Sequence, residues 1–244
     1  MTRPVFVLTG DSITQDGGNA SMTGWATLLQ RDWLRSVDII NRGLSGYNTK
    51  WFIQYALPEV LEEMQTRFKP ALITLWLGAN DAALVDGSSK QQHIPLDEYS
   101  ANLRHILTEY QRVAPSAKIL LITPAVIDDD HRRRFQQLHE GFSEPLDRKN
   151  HVTVQYATAC AEVGASISGI KVLDLHSVLT ETYEEEARHR LLSDGLHFTP
   201  EGNQVLYELI KQAMTELLPA ETVATWQFPD HKDIARWEAE KKST

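Results

Sequence analysis

Cysteine is almost absent from this sequence of 244 residues, in which Cys160 is the only one. A single thiol cannot form an intrachain disulfide, and it cannot supply the several cysteine ligands of a structural zinc site. Proteins without disulfides are typical of reducing compartments. We therefore expect a cytoplasmic protein.

Long hydrophobic runs are also missing. The first apolar run, Val5 to Leu8, has four residues, which is too short for the apolar core of a secretory signal. No later stretch approaches the roughly 20 apolar residues that a membrane-spanning helix requires. We expect neither a leader peptide nor a membrane span.

Basic residues are in deficit, because 24 Lys and Arg stand against 33 Asp and Glu and give a net charge of −9. A protein that binds nucleic acid needs a basic face to neutralise phosphates, so this balance argues against such a partner. Hydrophobic residues make up 42% of the chain and charged residues 23%, which is typical of soluble globular domains. We expect a packed core and no nucleic-acid partner.

Short apolar runs that end in Gly, Asn, Asp or Pro alternate with longer segments of helical period. The predicted strands are Val5–Thr9, Val37–Asn41, Ala71–Leu77, Lys118–Thr123 and Lys171–Asp174. The predicted helices are Thr23–Leu34, Thr49–Phe68, Leu96–Val113, Val152–Ser168 and Pro200–Leu218. This alternation predicts an α/β protein, a three-layer α/β/α sandwich with a central parallel sheet.

No linker, repeat or composition break divides the chain, so we predict one domain over residues 1–219 and a tail over 220–244. The tail is polar apart from Trp226, Phe228 and Trp237. These aromatic residues favour packing of the tail on the domain or on a partner, and a homodimer is one such arrangement.

The segment Val126–Asn150 fits the alternation poorly. It contains three consecutive acidic residues at 128–130 and three consecutive arginines at 132–134. Such a charge run is most simply a solvated loop or helix face.

Ser12 follows directly after the first predicted strand, where an α/β sheet presents reactive groups. A serine hydroxyl is a weak nucleophile and needs a base that is itself held by a third group. The segment SDGLHFTP offers this pair, because Asp194 and His197 are three residues apart and one turn of chain can bring carboxylate and imidazole together.

An acyl-transfer site also needs donors for the oxyanion that develops on the attacked carbonyl. Gly43 follows the second predicted strand, and a glycine lets its backbone N–H approach a ligand closely. Asn80 follows the third and carries side-chain N–H groups. With the backbone N–H of Ser12, these residues make three candidate donors.

Each residue also has a structural interpretation. Ser12 and Gly43 could serve only as turn residues, and Asn80 could only cap the next segment. Asp194 and His197 could be a structural pair or two ligands of a metal site, although the sequence has no HExxH motif. We predict no metal and no cofactor.

The blocks GDSIT, RGLSGYNT, GAND and SDGLH, in this order over residues 10–202, resemble the four conserved blocks of the GDSL, or SGNH, hydrolases. The resemblance implies a flavodoxin-like fold and ester hydrolysis, with Ser12 as nucleophile, His197 as base and Asp194 as its orienting acid. It also implies that Gly43 and Asn80 belong to the oxyanion hole.

Within this family the longer strings GDSITQ, GANDA and SDGLHF are most similar to isoamyl acetate-hydrolysing esterases, which act on small acetate esters. The resemblance therefore implies a serine esterase for short-chain esters that works through an acyl-enzyme. A thioesterase, a lysophospholipase, a carbohydrate deacetylase or a non-catalytic binding protein on the same fold are the alternatives.

Overall fold

The computed structural model describes residues 3–139 and 145–242. Its centre is a sheet of five parallel strands in the order β2-β1-β3-β4-β5. The strands are β1 Val5–Gly10, β2 Asp38–Gly43, β3 Pro70–Trp76, β4 Lys118–Ile122 and β5 Ile170–Leu173. All five predicted strands and the parallel sheet are thus confirmed.

Helices flank the sheet on both faces. They are α1 Ser12–Asp16, α2 Trp25–Trp33, α3 Thr49–Trp51, α4 Leu57–Thr66, α5 Leu96–Val113, α6 Asp129–His139, α7 Asn150–Ala165, α8 Leu175–Thr182, α9 Glu185–Leu191, α10 Pro200–Leu217, α11 Ala220–Trp226 and α12 His231–Lys242. Single turns of 3-10 helix lie at Ala20–Met22 and Lys90–Gln92.

The predicted helix Thr49–Phe68 is interrupted by a wider π-helical turn at Phe52–Ala56. Pro58 lacks the N–H that would bind the carbonyl four residues earlier, and its ring disfavours regular helix there. The Leu57 N–H instead binds the carbonyl of Phe52, five residues back. The proline therefore explains why one predicted helix divides into α3 and α4.

The two faces of the sheet bury different sides of each strand. Phe6 and Leu8 of β1 face a core formed with α2, α8, α9 and α10. Val5 and Val7 face a second core formed with α4, α5 and α7. This alternation of side chains is the period of a β-strand, and it gives the predicted α/β/α sandwich.

The carboxyl ends of the strands meet at one edge of the sheet. Gly10 at the end of β1 pairs with Gly43 of β2 on one side and with Trp76 of β3 on the other. The loops after these three strands are therefore neighbours, as the rule for parallel sheets requires.

The tail begins with α11, which packs on the domain. The Trp226 ring lies edge-on to Phe6 with centroids 6.3 Å apart, and the Phe228 N–H donates to the carbonyl of Arg35. Trp237 of α12 is 46% exposed. Division of the chain at residue 219 stays a prediction. No helix in the two described ranges is long and apolar enough to cross a membrane.

Candidate active site

Ser12 lies at the turn between β1 and α1. Asp11 caps α1 by accepting the N–H of Ile13 on its Oδ1 at 3.0 Å. A Cβ on residue 10 would lie 2.2 Å from Thr14 Oγ1, so Gly10 allows the chain to turn this closely. The turn leaves Ser12 at the carboxyl edge of the sheet with 7% of its surface exposed.

The fold brings Ser12 next to His197, which is 185 residues away in the chain. Ser12 Oγ lies 2.8 Å from His197 Nε2, and His197 Nδ1 lies 2.8 Å from Asp194 Oδ2. An ionised carboxylate only accepts hydrogen bonds, so Nδ1 carries the proton and Nε2 accepts from the serine hydroxyl. This is the arrangement of nucleophile, base and orienting acid found in serine hydrolases.

A tight turn holds Asp194 beside His197. Asp194 Oδ1 accepts the backbone N–H groups of Leu196 at 2.9 Å and His197 at 2.7 Å. Gly195 has a positive φ of 84°, which a side chain would strain. Thr199 then caps α10, which begins at Pro200, by accepting the Gly202 N–H on its side chain.

The pKa of Asp194 lies well below its usual range. Burial acts to raise this pKa, but the hydrogen bond and positive charge of His197 and two backbone N–H groups outweigh it. Asp194 is therefore a carboxylate at neutral pH, and it stabilises the protonated imidazole.

Arg132 supplies a further contact that sequence reasoning missed. Its Nη1 donates to Asp194 Oδ2 at 3.0 Å. The charge run predicted to be a solvated surface is thus only partly solvated. Asp130 and Arg133 form an exposed ion pair, whereas Asp128 and Arg132 are buried, with exposures of 7% and 6%.

Two residues beyond the charge run complete the buried polar group. Arg132 Nη2 donates to Asp147 Oδ2 at 2.8 Å, and Arg148 forms an ion pair with the same carboxylate. Gln136, one turn after Arg132 on α6, accepts the Asp147 N–H at 3.0 Å. The i, i+4 spacing places Arg132 and Gln136 on one face of the helix, and this was the available signal in the sequence. A buried helix face is normally recognised by a stripe of apolar residues, which this polar pair does not form.

Asn80 follows β3 and is 4% exposed. Its Nδ2 donates to the carbonyl of Tyr47 at 2.8 Å, and its Oδ1 accepts from Arg148 Nη2 at 2.7 Å. An amide nitrogen carries two hydrogens, so the bond to Tyr47 leaves a second donor on Nδ2.

Gly43 ends β2 beside Gly10. Its N–H donates to Asn41 Oδ1 at 2.8 Å, so this donor already has an acceptor. A Cβ on residue 43 would lie 2.1 Å from the backbone nitrogen of Gln15. Close packing against α1 therefore already requires a glycine at this position.

Two carboxyl groups near the strand ends are fully buried: that of Asp11, which precedes Ser12 in the chain, and that of Asp81, which follows Asn80. Burial raises the pKa of Asp11 to about 6, and Asp11 Oδ2 has no hydrogen-bond partner in residues 3–139 and 145–242. Burial also raises the pKa of Asp81 to about 7, although Thr49 donates its N–H to this carboxyl at 3.0 Å.

A cavity of about 280 Å³ lies beside His197. Its apolar walls are Ile13, Met22, Phe135 and Phe198. A larger cavity of about 990 Å³ lies between Pro70, Lys118 and Trp226. Because Pro70 begins β3, this second cavity is at the opposite edge of the sheet from Ser12. Within the described parts of the chain, no cluster of three or more His, Cys, Asp or Glu side chains could hold a metal ion.

Comparison with known sequences gives a consistent result. The GDSL-like lipase/acylhydrolase family model matches residues 8–205. An isoamyl acetate-hydrolyzing esterase 1 homolog of Mus musculus is 36% identical over 236 residues, which cover 95% of this chain and 88% of that protein. A GDSL esterase/lipase of Arabidopsis thaliana is 34% identical, with coverage of 95% and 94%.

Solved structures show the same fold. A lipase/acylhydrolase of Enterococcus faecalis has a TM-score of 0.63 and 28% identity, and the match covers 88% of this chain and 98% of that one. An acetylxylan esterase of Geobacillus stearothermophilus has a TM-score of 0.67 at 18% identity, with coverage of 86% and 94%. The second likeness concerns the fold alone.

Proposed function

The chain belongs to the GDSL-like lipase/acylhydrolase family and is a carboxylic ester hydrolase, and we propose that Ser12, His197 and Asp194 are its catalytic residues. The observation that carries this proposal is the pair of 2.8 Å contacts from Ser12 through His197 to Asp194. In this assignment Ser12 is the nucleophile, His197 the general base and Asp194 the acid that orients it.

The reaction proceeds in two halves. His197 Nε2 takes the hydroxyl proton as Ser12 Oγ attacks the ester carbonyl, and the tetrahedral intermediate expels the alcohol, which takes that proton from His197. The same imidazole then removes a proton from water, which attacks the acyl-enzyme. Collapse of the second intermediate returns the proton to Ser12 and releases the carboxylic acid.

We assign the oxyanion hole to the Ser12 N–H, the Gly43 N–H and Asn80 Nδ2. Ser12 begins α1, and the first N–H groups of a helix have no acceptor within the helix. Asn80 contributes its second amide hydrogen. The N–H of Gly43 already donates to Asn41 Oδ1, so it would have to donate to this oxygen and to the oxyanion together.

We propose small acetate esters, such as isoamyl acetate, as the substrates. The name of the mouse relative, an isoamyl acetate-hydrolyzing esterase 1 homolog, supports this, and so does the cavity beside His197. His197 protonates the leaving group, so the alcohol portion lies on its side of the carbonyl. Four of the cavity's nine lining residues are apolar, and a volume of about 280 Å³ fits a short branched alcohol.

The test is a series of p-nitrophenyl esters from acetate to palmitate, together with isoamyl acetate. We expect turnover that is fastest for acetate, falls with acyl length, and drops by about 10⁶ in Ser12→Ala. Residual activity in this variant above about one hundredth of wild type would contradict the nucleophile assignment. Preference for long acyl chains would favour a lysophospholipase. Activity only on thioesters would favour a thioesterase, and activity only on acetylated sugars would favour a carbohydrate deacetylase.

We further propose a cytoplasmic enzyme, because the sequence has a single cysteine, which is buried. We also propose a homodimer, and a division of the chain into a domain at 1–219 and a tail at 220–244. Sedimentation of the full chain and of a chain ending at residue 219 would test both. A dimer only in the full chain is expected if the tail forms the interface.

A further inference from the structure

Four buried side chains of alternating charge connect the two halves of the proposed site. Asp194, Arg132, Asp147 and Arg148 follow one another through ion pairs, and each side chain is 10% exposed or less. The two positive and two negative charges balance. Removing one partner from such a group leaves an uncompensated buried charge, so its members hold one another in a single geometry.

Asp147 is the centre of this network. Its Oδ1 accepts from Arg132 Nε at 3.0 Å and its Oδ2 from Arg132 Nη2 at 2.8 Å, so the pair is bidentate. Arg148 Nη1 donates to the same Oδ2. Burial acts to raise the pKa of Asp147, but the hydrogen bond from Arg132 and the charge of Arg148 bring the pKa below its usual value.

One end of the network fixes the amide of Asn80. Arg148 can only donate hydrogen bonds and the carbonyl of Tyr47 can only accept them. Arg148 therefore holds Asn80 Oδ1, and Tyr47 holds one hydrogen of Nδ2. The reverse orientation of the amide would lose both bonds. Arg148 is itself fixed by the carbonyl of Ala79 at 2.8 Å and by Gln92 Oε1 at 2.5 Å.

The other end of the network fixes the carboxylate of Asp194. Arg132 Nη1 and His197 Nδ1 both donate to Asp194 Oδ2, at 3.0 and 2.8 Å. Arg132 thus uses one end of its guanidinium for Asp147 and the remaining nitrogen for Asp194. A lysine has a single nitrogen, so it cannot reproduce contacts that come from three separate nitrogens of the guanidinium.

We propose that Arg132, Asp147 and Arg148 are positioning residues. They fix the hydrogen-bonded pair of Asp194 and His197 in position relative to the oxyanion donor Asn80. The proposal rests on the proposed function of this site. Each of the three residues acts through Asp194 or Asn80 and does not touch the substrate. Misplacement of a reacting group by about 1 Å can cost 10²-fold in rate, so a rigid connection between the two halves has a direct kinetic effect.

The test is a pair of kinetic double-mutant cycles on the full chain with p-nitrophenyl acetate. Arg148→Lys is made in wild type and in Asn80→Ala, and Arg132→Lys is made in wild type and in Asp194→Asn. In wild type each lysine variant is expected to lower kcat about 10- to 100-fold with KM nearly unchanged. In the second background the same substitution should cost clearly less than in wild type, because the residue that it contacts directly is already replaced and only the effect through the other end of the network remains.

Arg133→Lys is the matched control, because Arg133 is exposed on the same helix and pairs with Asp130. It should leave kcat unchanged. Circular dichroism and the melting temperature of every variant show whether it is folded. Equal losses in both backgrounds would overturn the proposal, and so would failure of both lysine variants to fold, since the network would then only hold the structure. Turnover that persists in the Ser12→Ala variant would instead contradict the proposed function, and with it the network's role.

Discussion

Arg132 and His197 bind the same carboxylate oxygen, Oδ2 of Asp194, at 3.0 and 2.8 Å. The second oxygen of Asp194 accepts two backbone N–H groups. The carboxylate therefore has no freedom to rotate, and the imidazole that it orients is held toward Ser12. Arg132, in the charge run of α6, thus helps to orient Asp194, which is 62 positions further along the chain.

Asp194→Asn should reduce kcat by about 10⁴ while the protein stays folded. An amide that presents its NH₂ group to His197 would favour the wrong tautomer, with the proton on Nε2, which then cannot accept from Ser12. Steady-state kinetics on p-nitrophenyl acetate, with circular dichroism of the same samples, measures this. An unchanged kcat would remove Asp194 from the mechanism.

Asn80→Ala should reduce kcat by about 10²- to 10³-fold with little change in KM, because an oxyanion donor acts in the transition state. Gln204→Ala serves as control, since Gln204 is an exposed amide on α10 that binds only Glu208 among the contacts described. A rise in KM with unchanged kcat would show that Asn80 contributes to binding of the ground state instead.

Phe135→Ala should lower kcat/KM for isoamyl acetate about tenfold and for ethyl acetate much less, because it removes an apolar wall from the proposed alcohol cavity. Phe135 also lies against the guanidinium of Arg132, 5.5 Å from the ring centre. A loss transmitted through Arg132 would affect both esters equally, which distinguishes the two causes. Phe228→Ala, an exposed ring in the tail, is the control.

Asp11→Asn should raise the free energy of unfolding at pH 8 and leave it nearly unchanged at pH 4. Burial raises the pKa of Asp11 from 3.8 to about 6, so the folded state favours the protonated carboxyl. The stability that this group contributes is present below the unfolded pKa and is lost as pH rises to about 6. Asparagine stays neutral, so the gain at pH 8 should be about 3 kcal/mol.

Urea unfolding at the two pH values measures this difference. Asp16→Asn, which changes an exposed carboxylate at the end of the same short helix, is the matched control. A stability gain of equal size at pH 4 and pH 8 would show that Asp11 does not titrate between these values in the folded protein.

Local patterns in the sequence predicted most of the fold. Ala71–Leu77 is nearly all apolar, and the structure has the buried strand β3 one residue earlier, at Pro70–Trp76. Leu96–Val113 was predicted with the same bounds that α5 has. These elements follow from periodicity and from turn residues at their ends, which are properties of neighbouring residues.

The network beyond the predicted site could not be found in the same way. Arg132 contacts residues that are 15 and 62 positions away in the chain, and the periodicity of a local segment cannot reveal such long-range contacts. Three aspartates followed closely by three arginines look like a surface, because burial of one of the arginines depends on partners from distant loops. The bond from the Gly43 N–H to Asn41 likewise depends on a side-chain orientation that the glycine motif does not reveal.

The central claim is that Ser12 is an activated nucleophile, and covalent labelling tests it most directly. The full chain is incubated with a fluorophosphonate, and the adduct is counted by intact mass and located by peptide mapping. We expect one adduct per chain, on Ser12, that appears as esterase activity disappears and that is absent in Ser12→Ala and strongly slowed in His197→Ala. Labelling of another residue, or full esterase activity in a chain labelled on Ser12, would contradict the account.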